Sequence, residues 1–259
     1  MRPNPWLTAV RAGELTLGGW ITNPSTINAE ILGNAGLEYV AIDTQHGAID
    51  YTTMLPLLQV LAIGSSTPIV RVPSCDSVYI GKALDAGARA VIVPMVNDRG
   101  TCEQAMSYAR YAPEGVRSYG PTRAILIEGD DYFEQAADQI SVIPMIETSQ
   151  ALENLDDILS VSGVEAIYVG PADLSISLGL PPLPDSPRLD DALRLIVEAC
   201  ARHGVVPGIH ASAALCAKRA EQGFRMITVT ADIVALRRAV AADVATARGT
   251  IADSITSTY

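Results

Sequence analysis

Five polar side chains interrupt or end apolar runs in this sequence, and their types suit chemistry that uses a hard metal ion, a fixed cation and a proton carrier. They are Asp43 and His46 in AIDTQHG, Arg71 in PIVRVP, Glu147 in IPMIET and Asp173 in VGPADLS. Glu147 and Asp173 follow consecutive apolar runs, so a parallel sheet brings their carboxylates toward one point, where two bare negative charges would repel. Hard divalent cations such as Mg²⁺ or Mn²⁺ take oxygen ligands and commonly use only one or two protein carboxylates plus water and substrate oxygens. A divalent metal with open positions is therefore expected at this pair. Zinc held by thiolates or a His cluster is not, because no Cys ends an apolar run and the chain has only His46, His203 and His210.

Arg71 lies within an apolar run, so its guanidinium must find an anionic partner or carry a large desolvation cost. Asp43 reads either as a catalytic group or as a loop anchor, the commoner use of Asp at such a position. The stretch Gly170-Pro171-Ala172-Asp173-Leu174-Ser175 can start a short helix whose free N–H groups bind an anion, or it can be a plain capping turn. His210 in PGIHAS ends the seventh run and can face the site, although a structural role at the rim is the expectation, and Met145 and Met226 are expected to be core.

The elements that position these residues alternate in a simple way. Short apolar runs are expected as strands at Leu17 to Ile21, Tyr39 to Asp43, Pro68 to Val72, Ala90 to Pro94, Ser141 to Glu147, Ala166 to Gly170, Val205 to Ile209 and Arg225 to Val229. They are continuous and rich in β-branched residues, as in strands buried on both faces. Helical patterns such as TTMLPLLQVLA, SVYIGKALDAG, ALENLDDILSV and DALRLIVEACARHG separate them, and several end at a glycine, at 36, 87, 163 and 204. Eight such units predict a (β/α)₈ barrel, and 259 residues fit one barrel domain spanning 1–259. A doubly wound sheet would carry a Gly-rich loop after its first strand, and none is present. In a barrel the five polar residues share the rim formed by the carboxyl ends of the strands, where active sites sit. Tyr111 to Gly129 is expected as a long irregular stretch, and 180–188 (LPPLPDSPR) as a spacer.

A hydrophobic fraction of 49% against 18% charged residues indicates a folded globular protein. The formal net charge of −11 at pH 7 argues against nucleic acid and acidic membranes as partners. Cys75, Cys102, Cys200 and Cys216 are widely spaced and read as reduced thiols. The N-terminal MRPNPWLTAVRAGE has no apolar signal core and no long apolar span follows, so a cytoplasmic protein is expected. The loops after the seventh and eighth runs, HASAA and TVTAD, lack the glycines of a phosphate cradle, which disfavours a phosphorylated substrate.

The motifs LGGWITNPS, AIDTQHG, PIVRVP, DAGARAVIVPMV, GVRSYGP, IPMIET, ALENLDDIL, VGPADLS and GIHAS stand in one order across nearly the whole chain. In that set the chain resembles the HpcH/HpaI aldolases, class II pyruvate aldolases that include 4-hydroxy-2-oxoheptanedioate and 2-keto-3-deoxy-sugar-acid aldolases. The resemblance implies that Glu147 and Asp173 ligate Mg²⁺, Mn²⁺ or Co²⁺, and that Arg71 contacts the keto oxygen. It implies a His46–Asp43 dyad for acid/base work, in which Asp43 orients the imidazole, and a pyruvate carboxylate held at Gly170 to Asp173 by the backbone of Ala172 and Asp173. It further implies cleavage of a 4-hydroxy-2-oxo acid into pyruvate and an aldehyde. The assembly it implies is a homohexamer, a trimer of dimers that exchange a terminal helix, with a neighbouring subunit and the segment around Arg117 to Arg123 shaping the aldehyde site. Thr44 before the dyad glutamine and Met145, where some members carry Gln, are departures that bear on substrate preference. A Schiff-base route is disfavoured because Lys82 and Lys218 fall in helical patterns. The competing expectations are a CoA-thioester lyase of the citrate-lyase-β or malyl-CoA lyase type, and a non-catalytic barrel that binds a 2-oxo acid.

Overall fold

In the computed structural model, which describes residues 1–182 and 186–256 and the side chains only up to 249, each apolar run becomes a barrel strand. They are β1 (Thr16–Ile21), β2 (Tyr39–Asp43), β3 (Thr67–Arg71), β4 (Ala90–Val93), β5 (Ser141–Ile146), β6 (Ala166–Val169), β7 (Val206–His210) and β8 (Met226–Ala231). All pairings are parallel and follow sequence order, and β1 closes the barrel against β8. The eight expected strands are thus all present, with ends shifted by at most two residues.

The strands read as continuous apolar runs because the barrel divides their two faces between two cores. Tyr39, Ala41, Ile69, Ile92, Ile143, Met145, Tyr168 and Met226 fill the interior, while the alternating Val40, Ile42, Val70, Val91, Ile146, Ile167 and Ile227 pack under the helices. Period-two alternation survives in the structure, but both phases are apolar. The interior is closed at its amino-terminal end by the helix Pro5–Arg11, whose Trp6, Leu7 and Val10 join the inner cluster. Asn4 caps that helix and donates to the carbonyl of Arg89 just before β4. The glycines at 36, 87, 163 and 204 all take positive φ where helix turns into strand, as expected.

Two local expectations change. ALENLDDILSV forms two short helices, Ser149–Glu153 and Leu155–Leu159, broken at Asn154, whose side chain donates to the carbonyl of Asn97 at 2.8 Å. A side-chain bond to a neighbouring loop has displaced the continuous helix. The stretch from Tyr111 to Gly129 is irregular only in its first half; Thr122–Glu128 is a helix ended by Gly129 at φ 101°. Its mixed TRAILIE sequence has little amphipathic period, and tertiary contacts fix it: Arg123 reaches the carbonyls of Ala86 and Leu58. Residues 183–185 of the expected spacer lie outside the described residues, and a helix begins at Pro187.

The last helix, Asp232–Thr256, touches β1 and β8 near its start and then leaves the barrel. Asp232 anchors it, accepting bonds from the backbone of Thr22 and Asn23 and from the Thr22 hydroxyl. Farther along, Leu236, Val240 and Val244 are exposed. Among the described residues no helix is long and apolar enough to cross a membrane.

Candidate active site

A cavity of about 600 Å³ opens at the carboxyl ends of the strands, lined by Trp20, His46, Arg71, Met145, Tyr168 and Gly170 to Asp173, and farther out by Asp190, His210, Lys218 and Arg219. Asp43 and Arg71 are register partners at the ends of β2 and β3, so their side chains leave the sheet side by side. Arg71 Nε donates to Asp43 Oδ1 at 2.9 Å and Nη2 donates to Oδ2 at 2.6 Å. This two-point pairing meets the requirement that a buried guanidinium find a carboxylate. Burial alone would push the Asp43 carboxyl up; Arg71 and the His46 N–H outweigh it and hold the group below its ordinary value. The guanidinium also lies over the Trp20 ring, 5.2 Å from its centroid.

Asp43 has a second task that differs from the expected dyad. Its Oδ1 accepts the backbone N–H groups of Gln45 at 3.0 Å and His46 at 3.2 Å, which folds DTQHG into a tight loop. A Cβ on Gly47 would lie 2.2 Å from the carbonyl oxygen of Asp43, so the turn needs glycine there. Asp43 therefore positions His46 through the main chain. The imidazole is exposed at the cavity wall and makes no hydrogen bond to the Asp43 carboxylate, whose oxygens are taken by Arg71 and the loop.

Glu147 follows β5 directly and is buried. Its Oε1 accepts the backbone N–H of Met95 at 2.7 Å, and Met95 is held at φ +56°, a left-handed conformation unusual for a residue with a side chain. A Cβ on Gly170 would lie 2.6 Å from Glu147 Oε2, so the glycine after β6 makes room for the carboxylate. Burial raises the Glu147 carboxyl above its ordinary value; the Met95 N–H opposes this, the charge of Asp173 adds to it, and Arg71 opposes it again. Asp173 sits in the first turn of the helix Pro171–Ser177, so the short helix expected from the sequence is formed, and it carries no side-chain cap.

Asp43 thus pairs with the one guanidinium while Glu147 interacts with both Arg71 and Asp173, an excess of negative charge that suits a divalent cation. Among the described residues no three Asp, Glu, His or Cys converge as a complete cage, so a cation here would keep positions for other ligands. Burial, mutual repulsion between two carboxylates and an oxygen-only donor set all fit a hard ion.

Sequence reasoning missed several lining residues. Trp20 stacks on Tyr168 with centroids 5.5 Å apart, and both face the cavity from inside the barrel. Met145 serves as core and as cavity wall, whereas Met226 is core alone. His210, expected to be structural, lines the cavity. Lys218 and Arg219, on the helix Cys216–Glu221, form its outer wall and share Asp190 as counter-ion. An aromatic or a Lys in an ordinary helix carries no mark of function; only barrel closure reveals these positions. The helix at 122–128 and Arg117, bonded to Asp85 and Tyr132, do not line the cavity.

Comparison with known proteins follows this geometry. A family model described as HpcH/HpaI aldolase/citrate lyase matches residues 17–239. A hydroxypyruvate/pyruvate aldolase of Rhizorhabdus wittichii is 36% identical over 93% of this chain and 97% of its own. A 4-hydroxy-2-oxo-heptane-1,7-dioate aldolase of Escherichia coli is 35% identical over 92% of this chain and 93% of its own. The crystal structure of an HpcH/HpaI aldolase/citrate lyase family protein from Burkholderia cenocepacia superposes with a TM-score of 0.90 at 30% identity, covering 95% of this chain and 99% of that one.

Two stability measurements test the electrostatics. Asp43→Asn should destabilise the fold by about 3 kcal/mol in urea unfolding, because it leaves a buried guanidinium without its counter-ion. The depressed carboxyl of Asp43 stabilises above its unfolded pKa of roughly 3.9, and that stabilisation is lost as pH falls through the lower folded value. The gap between wild type and variant should hold from neutral pH to about pH 4 and close only below it. Glu147 has the opposite sign. Its raised carboxyl opposes folding once ionised, so Glu147→Gln should raise the Tm of metal-free protein at pH 7 by about 2 °C or more, an advantage that vanishes at acid pH.

Proposed function

The chain belongs to the HpcH/HpaI aldolase/citrate lyase family and is an aldolase, a carbon–carbon lyase, and we propose that it uses a divalent metal at Glu147 and Asp173 to cleave a 4-hydroxy-2-oxo acid. The products are pyruvate, or a close 2-oxo acid, and an aldehyde. The observation that carries this reading is that Glu147 and Asp173 lie close enough at the barrel rim for their charges to interact, beside an arginine already fixed by Asp43.

When bound, Mg²⁺, Mn²⁺ or Co²⁺ supplies Lewis acidity toward the 2-oxo acid. The chain's own residues do the rest. The first-turn N–H groups of Ala172 and Asp173 hold the carboxylate of the pyruvate unit, with Gly170 and Pro171 shaping the turn. Arg71, with Nε and Nη2 committed to Asp43, presents Nη1 to the keto oxygen, where negative charge develops. Because its partner fixes it beforehand, it needs no rearrangement at that moment. The imidazole of His46, which makes no hydrogen bond among the described residues, takes the proton of the C4 hydroxyl. The C3–C4 bond then breaks, its electron pair stays on the pyruvate unit as an enolate, and the aldehyde leaves. Protonation at C3 completes pyruvate.

The outer wall supports a carboxylated aldehyde. Lys218 and Arg219 share the single carboxylate of Asp190, and the buried Arg219 keeps Nε without a partner. The Escherichia coli relative is named for a dioate, a substrate with an acid at both ends. Lys218 is the one lysine at the cavity, but its Nζ lies 3.0 Å from Asp190 on a helix outside the barrel, a pairing that supports charge recognition over Schiff-base chemistry. We also propose assembly into a homohexamer, a trimer of dimers, with the exposed Leu236, Val240 and Val244 of the terminal helix covered by a neighbouring copy.

EDTA should abolish aldol cleavage, and Mn²⁺, Mg²⁺ or Co²⁺ should restore it; Mn²⁺ should raise the Tm of wild type and leave Glu147→Gln nearly unmoved. Activity in EDTA together with a borohydride-trapped pyruvate adduct on Lys218 would sink the metal reading. Light scattering should give a hexamer mass for wild type and a smaller species for the double substitution Leu236→Asp and Val240→Asp, while an unchanged mass would remove the helix from the interface.

A further inference from the structure

His210 is a polar group of the cavity to which the reaction above gives no task. His210 ends β7, and its ring packs edge-on against Trp20 with centroids 5.2 Å apart. On the inner side, Nδ1 lies 3.4 Å from the hydroxyl of Tyr168. That hydroxyl is 2.5 Å from Thr228 Oγ1, which in turn is 2.9 Å from the hydroxyl of Tyr39. Tyr39, Tyr168 and Thr228 are fully buried, so this chain of oxygens reaches from the cavity into the barrel interior without water. The register places His210 beside Thr228, and a Cβ on Gly18 would collide with the Tyr39 ring, so the thread is built into the strands.

The thread has a direction. Each hydroxyl brings one proton, and burial holds both phenols well above their ordinary range, so both keep it. Among the described residues Thr228 is the one group that meets the Tyr39 hydroxyl in hydrogen-bonding geometry; the Tyr168 hydroxyl also lies close enough to influence it. If Nδ1 carried the ring proton, the donors would run inward from His210 to Tyr168, Thr228 and Tyr39, and the last O–H would end in a dry interior with no acceptor. A buried donor without an acceptor costs roughly 1–3 kcal/mol. Run outward, Tyr39 donates to Thr228, Thr228 to Tyr168 and Tyr168 to Nδ1, and every donor is used. The ring proton then sits on Nε2, which has no partner among the described residues while the ring lines the cavity. Burial, assisted by the nearby Arg71 and opposed by Asp43, lowers the imidazole to about 4, so it is uncharged at neutral pH.

We propose that His210 is a specificity-determining residue, a neutral imidazole locked to present Nε2–H to a hydroxyl oxygen of the acceptor aldehyde. Arg71 faces the keto oxygen and Lys218 and Arg219 suit a carboxylate at the outer wall, whereas His210 lines the same cavity as an uncharged donor suited to an uncharged oxygen. The ligand's identity rests on the aldolase reading above; the locked tautomer does not.

Two experiments test it. With pyruvate as donor, kcat/KM for glycolaldehyde relative to acetaldehyde should fall about 10-fold in His210→Leu, and His210→Gln, which keeps an N–H donor, should recover much of the ratio. An unchanged ratio, an equal loss on both aldehydes, or a change confined to hydroxypyruvate over pyruvate as donor would overturn the proposal. In ¹⁵N-histidine-labelled wild type, whose only histidines are His46, His203 and His210, the signal lost in His210→Leu should show the neutral Nε2–H form at pH 7. Tyr168→Phe should release it into a mixture of tautomers. An Nδ1–H ring or an imidazolium at that pH would overturn the proposal whether or not wild type turns over an aldehyde; a wild type inert toward every aldehyde would instead remove the aldolase assignment.

Discussion

The ion pair between Asp43 and Arg71 joins the folding of this barrel to its chemistry. An arginine at the end of β3 is tolerable only because β2 ends in register with an aspartate, whose Oδ1 accepts three hydrogen bonds and whose Oδ2 accepts one. One carboxylate neutralises the buried cation, fixes its orientation toward the cavity and shapes the loop that carries His46. Removing Asp43 therefore disturbs charge, geometry and loop together, because its carboxylate holds both Arg71 and the main chain of DTQHG.

The carboxylate pair on the other side of the cavity obeys the same economy with the opposite sign. Glu147 is buried next to the charge of Asp173, held by a peptide N–H that requires a left-handed Met95 and by a glycine at 170 that leaves it space. Burial, the neighbouring charge and the left-handed Met95 are unfavourable for metal-free protein, and the Met95 N–H offsets them in part. Stability is given up where function needs concentrated negative charge, a common arrangement in active sites.

Much of this was legible in the sequence. The eight strands follow from continuous β-branched runs and the αβ turns from glycines at 36, 87, 163 and 204, because both reflect local chemistry repeated around the barrel. The five rim residues could be read because charged groups at the ends of apolar runs are conspicuous. What could not be read depends on long-range closure. The partner of Asp43 needs the β2–β3 register, the support of Glu147 comes from the backbone of Met95, and the Tyr39–Thr228–Tyr168–His210 thread joins residues from four strands. A tyrosine inside a barrel strand looks like filler until the fold shows what its hydroxyl touches. The helix at 122–128 was missed for a related reason: tertiary bonds, not periodicity, hold it.

Met95 has a further consequence. Because the carboxylate proposed to hold the metal is steadied by a loop peptide and not by a strand, the cation preference of the proposed site is adjustable without touching either carboxylate. Outer groups of this kind set the angle and basicity of a ligand. A residue at 95 that relaxes the left-handed backbone, or one that stiffens it, would retune cation preference from a position outside the barrel wall. The loop after β4 is in this sense an adjusting screw, and it is a natural place for divergent members of such a fold to differ in the ion they favour.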